Sequence, residues 1–74
     1  MKTYLEVYFS ADGDKASLIS EKLNELGLKP TIGEHDHVYI WKESVPISEV
    51  LRFIDRIQSK LKGTGAILKF STFR

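Results

Sequence analysis

The nine residues from Lys2 to Ser10, KTYLEVYFS, alternate strictly, with Leu5, Val7 and Phe9 on one side and Tyr4, Glu6 and Tyr8 on the other. A period of two belongs to a strand, and it commits the chain to a sheet with at least one covered face. The same period returns from His37 to Glu43 and again from Gly65 to Phe73, where Ala66, Leu68 and Phe70 oppose Ile67, Lys69, Ser71 and Phe73. Leu28 to Gly33 reads as a further short strand. Pro30 cannot donate to a ladder and pushes that strand to the edge of the sheet.

Between these strands the period changes. In ADGDKASLISEKLNELG, Asp12 or Asp14 is expected to cap a helix whose apolar residues are Ala16, Ile19, Leu23 and Leu26, with Gly27 as its left-handed stop and Leu28 folding back on it. Pro46 and Ser48 mark the start of a second helix, with Val50, Ile54, Ile57 and Leu61 on one stripe and Gly63 as its end. The order strand, helix, strand, strand, helix, strand is the split βαβ motif of the ferredoxin-like α+β sandwich. Right-handed crossovers place both helices on one face of a four-stranded antiparallel sheet, with the first and third strands central. The 74 residues then form a single domain, residues 1–74.

The stretch DHVYIWKES, Asp36 to Ser44, poses a choice of faces, because Val38 and Ile40 oppose Tyr39 and Trp41. Taking the fully apolar set as inward puts Leu5, Val7, Phe9, Val38, Ile40, Leu68 and Phe70 under the helices. The open face then carries Tyr4, Glu6, Tyr8, Tyr39, Trp41, Ile67, Lys69 and Phe73. Tyr and Trp favour strands in any case. Four large aromatics left half exposed nevertheless amount to an apolar patch on the order of 400 Å², near the upper range for a monomer surface.

Composition narrows the functional classes. There are 11 basic and 10 acidic residues, a net charge of +1, where a dedicated nucleic-acid binder is strongly basic. No cysteine is present, so neither disulfides nor thiolate metal sites stabilise the chain. MKTYLEVYF lacks the continuous apolar core of a signal peptide and no run approaches a membrane span, which gives cytoplasm, without membrane contact, as the expected location. The scarcity of Asn, Gln, Cys and Met matches a pattern also found in thermophile proteins. No nucleophilic cysteine, phosphate-cradling glycine loop or spaced Ser-His-Asp set is present, so the expectation is a non-enzymatic module without a cofactor.

Two constellations are candidate sites of other kinds. EHDH gathers Glu34, His35, Asp36 and His37, residue types that bind zinc or nickel, although a polar turn has the same composition. Asp12 to Asp14 begins like a calcium loop, but Ala16 and Leu23 stand where ligands are required, and capping accounts for it better. Arg52, Arg56 and Lys60, with Lys62, form a basic stripe on the second helix, favoured there by the helix dipole.

Two resemblances follow. The element order, with Tyr39 and Trp41 two residues apart on the third strand and Tyr4 or Tyr8 on the first, resembles the RNA recognition motif and implies base stacking on single-stranded RNA. His37 and Val38 stand in place of that motif's basic residue and glycine, and Glu6 sits beside the platform. In length and topology the chain also resembles ACT regulatory domains, which implies sheet association and small-ligand sites at subunit boundaries near the loop that carries Gly13. The leading expectation is a binding and assembly module that self-associates into a homo-oligomer through its open face, with a small-ligand site at the boundary. Single-stranded RNA binding through the same face is the alternative.

Overall fold

The computed structural model describes residues Met1 to Arg74 as β1 (Lys2–Tyr8), α1 (Ala16–Glu25), β2 (Lys29–Pro30), β3 (His37–Ile40), α2 (Ile47–Leu61) and β4 (Ile67–Phe73). The sheet is antiparallel with order β2-β3-β1-β4, the ferredoxin-like two-layer arrangement. β1 pairs along its whole length with β4, and only Lys2 to Leu5 pair with β3. Beyond that point Asp36 replaces a strand. Its N–H donates to the Leu5 carbonyl at 3.0 Å and its carboxylate accepts the Val7 N–H at 2.8 Å.

Register decides which side chains share a face, because residues paired across an antiparallel ladder point the same way. Tyr39 lies opposite Thr3 and His37 opposite Leu5. Thr3, Leu5 and Val7 are the buried residues of β1, so His37, Tyr39 and Trp41 face the helices, while Val38 and Ile40 take the open side. This corrects the sequence-based parity of the third strand. Phe9 also departs from expectation: β1 ends at Tyr8, and Phe9 is half exposed. Leu68 and Phe70 pack against the core as expected.

The core gathers Leu5 and Val7 from β1, Ile19 and Leu23 from α1, Leu28, and Phe53, Ile57 and Leu61 from α2. The inward stripe of α2 is therefore Val50, Phe53, Ile57 and Leu61, with Ile54 only half buried. Phe53 is the residue that makes room for the aromatics of β3. Its ring centroid lies 4.3 Å from that of Tyr39 and 5.4 Å from that of Trp41. Edge-to-face and offset contacts of this kind add roughly 0.5–1.5 kcal/mol each beyond area burial.

The caps differ from expectation at one end and agree at the other. Lys15, not Asp12 or Asp14, is the N-cap of α1, and no side chain caps it. The Asp14 N–H is committed to the Thr64 carbonyl at 2.9 Å, tying the β1–α1 loop to the α2–β4 loop. Gly13 permits that approach, since a Cβ there would collide with the Thr64 carbonyl oxygen. At the other end Gly27 takes φ +92°, and the Leu28 N–H closes on the Leu23 carbonyl at 3.1 Å. Leu28 is fully buried as a result.

Phe53→Ala is expected to cost ~3–5 kcal/mol, a large part of the stability of a small domain, whereas Ile54→Ala costs less. Chemical denaturation of the two variants checks this ordering. Equal losses would remove Phe53 from its central place.

Candidate functional site

The uncovered face of the sheet holds Lys2, Tyr4, Glu6 and Tyr8 from β1, Val38 and Ile40 from β3, and Ile67, Lys69, Ser71 and Phe73 from β4. Of the expected set, Tyr4, Glu6, Tyr8, Ile67, Lys69 and Phe73 are brought together here. Tyr39 and Trp41 are not, because they pack under α2. Sequence reasoning missed Val38 and Ile40. Thr3 was the available signal: it shares parity with Leu5 and Val7, and a hydroxyl buried there requires a partner.

That partner is Trp41. Its indole Nε1–H donates to Thr3 Oγ1 at 2.9 Å, and Thr3 Oγ1 in turn lies 2.9 Å from Thr72 Oγ1. A partly buried hydrogen-bond chain thus runs from Trp41, just past β3, through β1 to β4 on the helix side. An unmade bond at a buried hydroxyl costs ~1–3 kcal/mol, which favours the observed register over its one-residue slip.

On the open face, exposure is high at the apolar positions: Tyr8 49%, Ile40 62%, Ile67 65% and Phe73 57%. Glu6 and Lys69 are cross-strand partners that do not form a close ion pair. Both turn to Tyr8 instead: its hydroxyl donates to Glu6 Oε2 at 3.2 Å, and Lys69 Nζ sits 5.6 Å from its ring centroid. At the opposite end Tyr4 is half buried, with the His35 ring stacked at 4.5 Å and Phe73 edge-on at 5.7 Å. A shallow cleft of about 630 Å³ opens beside them, lined among others by Lys2, Tyr4, Ile32, His35, Phe73 and Arg74.

The EHDH residues do not converge on one point. His35 lies over Tyr4, Asp36 holds the Val7 N–H, Glu34 is exposed, and His37 is 5% exposed on the helix side with Nε2 at 3.3 Å from Ser20 Oγ. The segment is not a regular strand before His37, so the two rings end on opposite sides of the sheet. No group of three or more His, Cys, Asp or Glu side chains is placed to hold a metal ion. The metal expectation for His35, His37, Glu34 and Asp36 is therefore corrected to a turn that braces the β1–β3 ladder.

Fold and face together define the class: a ferredoxin-like α+β sandwich with a bare, largely apolar sheet surface. Comparison with protein-family models, with curated proteins and with solved structures finds no match. No helix is long and apolar enough to cross a membrane.

Burial lowers the pKa of His37 from its ordinary value of 6.5, with the neighbouring Asp36 charge opposing the shift. The folded chain thus holds this ring neutral where the unfolded chain already binds a proton. The stability it confers is complete above pH 6.5 and is lost as pH falls through 6.5 toward the lower folded value. Thermal unfolding followed from pH 7 to about 5 should show a falling midpoint that is flattened in His37→Gln and retained in His35→Gln. A slope unchanged in His37→Gln would contradict the assignment.

Proposed function

We propose that the chain is a small non-enzymatic assembly module that self-associates through the open face of its sheet. The observation that carries this reading is the exposure of Tyr8, Ile40, Ile67 and Phe73 on a sheet side that no element of the chain covers. Together they present on the order of 400 Å² of apolar surface. Covering that area releases ~10 kcal/mol per copy at ~25 cal/mol per Å², to be set against ~4–15 kcal/mol for bringing two molecules together. A second copy suits the face because it is self-complementary. Glu6 and Lys69 stand side by side, so a two-fold stack sets each carboxylate against the other copy's ammonium.

Such a stack would also roof the cleft beside Tyr4 and Phe73, making it the place for a small ligand at the subunit boundary. Lys2 and Arg74 on its rim favour an anion, and the Glu34 carboxylate in the same lining opposes one. Single-stranded RNA is less well supported by this geometry. Base stacking on the third strand required Tyr39 and Trp41, which lie on the other side, and the strand presents Val38 and Ile40 instead.

Light scattering over a concentration series reads the proposal directly. The wild-type chain is expected at a mass above that of one copy, and Tyr8→Ser combined with Ile40→Asp at a lower mass with the fold retained. A wild-type chain at the mass of one copy, or a double variant of unchanged mass, would sink it. Tyr8 resonances that shift on adding oligonucleotide at low salt would favour RNA in its place.

A further inference from the structure

The two edges of the sheet are not alike. The β2 edge is two residues long and contains Pro30, which is how natural sheets blunt an edge. The β4 edge runs seven residues, Ile67 to Phe73, without proline. Its one internal charge, Lys69, lies over the Tyr8 ring on the open face and so does not guard it.

The direction of the free backbone groups follows from contacts on the far side of β1. The Met1 carbonyl accepts the Trp41 N–H, the Leu5 carbonyl accepts the Asp36 N–H, and the Val7 N–H goes to the Asp36 carboxylate. Odd-numbered residues of β1 therefore aim their backbone groups toward β3, and Tyr4, Glu6 and Tyr8 aim theirs toward β4. In an antiparallel ladder those groups exchange bonds with the residues directly opposite, here Ser71, Lys69 and Ile67. Leu68, Phe70 and Thr72 must then turn their N–H and C=O groups outward.

We propose that the β4 edges of two copies pair antiparallel, with Phe70 opposite the second copy's Phe70, to make one continuous eight-stranded sheet. Only registers that place two even-numbered residues opposite each other use the outward groups, which leaves three near the strand's centre. One of them sets Lys69 against Lys69 in a narrow, non-hydrogen-bonded pair, where like charges repel. Another centres on Ser71 and carries Leu68 past the end of the partner strand to Arg74. The register centred on Phe70 pairs Leu68 with Thr72, Lys69 with Ser71, and Ile67 with Phe73. That last pairing joins the two most exposed apolar side chains of the strand, at 65% and 57%.

This contact is separate from the face contact, since it uses the strand's edge and not its open side. The absence of cysteine allows a clean test. Lys69→Cys and Ser71→Cys both alter exposed positions. Each variant is oxidised alone, and the two are oxidised after mixing under native conditions. Disulfide-linked dimer in the mixture, with monomer from either variant alone, is the expected result. Crosslinking by either variant alone to the same extent as the mixture, or no crosslinking in the mixture while both variants remain folded by circular dichroism, would overturn the proposal. Repeating the mixture with Ile40→Asp in both chains separates the two contacts. A dimer that persists there, while the face variants fail to change the mass of the uncrosslinked protein, upholds the edge pairing and removes the face.

Discussion

The placement of Thr3 opposite Tyr39 is the constraint from which the rest of the molecule follows. Thr3 has no exposed surface, and its hydroxyl is satisfied only because Trp41 reaches across from one neighbouring strand and Thr72 from the other. With that chain in place, the inward side of β3 is His37 and Tyr39, with Trp41 just past its end, and α2 offers Phe53 to the Tyr39 and Trp41 rings. The α1 terminus is drawn in as well. Gly27 lies beside the Tyr39 ring, where an added Cβ would stand 3.1 Å from Cε1, so the residue that stops the helix also leaves the space the ring occupies. A slip by one residue would strand the Thr3 hydroxyl and exchange both faces of β3.

The element order was legible because each segment keeps its period long enough to be recognised: seven residues of alternation in β1 and in β4, and fifteen residues of helical spacing in α2. The parity of β3 was not legible from apolar content alone. Val38 and Ile40 are as apolar as Tyr39 and Trp41, with which they alternate, so the binary pattern carries no information there. The discriminating signal was polar: Thr3 among inward leucine and valine, and a single indole N–H available to meet it. Phe53 was hidden for a related reason. α2 carries two overlapping apolar rows, and the choice between Phe53 and Ile54 depends on which ring the sheet sends up beneath them. The caps of α1 failed differently, because Asp14 is held by Thr64 in a loop-to-loop contact distant in sequence.

The Asp36 carboxylate shows how a short chain can end a strand without leaving a raw edge. β3 stops pairing at His37, and the next donor on β1, the Val7 N–H, is met by a side chain and not by another residue of ladder. The same device turns His35 onto Tyr4 and His37 under α1. One turn therefore covers part of the open face, buries an ionisable ring on the other, and leaves the sheet narrower at its Tyr8 end.

What remains uncovered has a physical pattern of its own. The larger rings of β3 are used inside, where two helices must span four strands, and the outer side is left with Val38, Ile40 and Ile67 beside Tyr8 and Phe73. Aliphatic side chains on a central strand gain nothing from water and have no polar tip to offer it, so their exposure differs in kind from that of a surface tyrosine. The guarded β2 edge and the unguarded β4 edge point the same way. A chain that blunts one edge with Pro30 and turns the backbone groups of Leu68, Phe70 and Thr72 outward on the other has its free bonding capacity concentrated on one side, next to Ile67 and Phe73. Face and edge meet at β4, the strand that carries both exposed apolar side chains and outward-turned backbone groups.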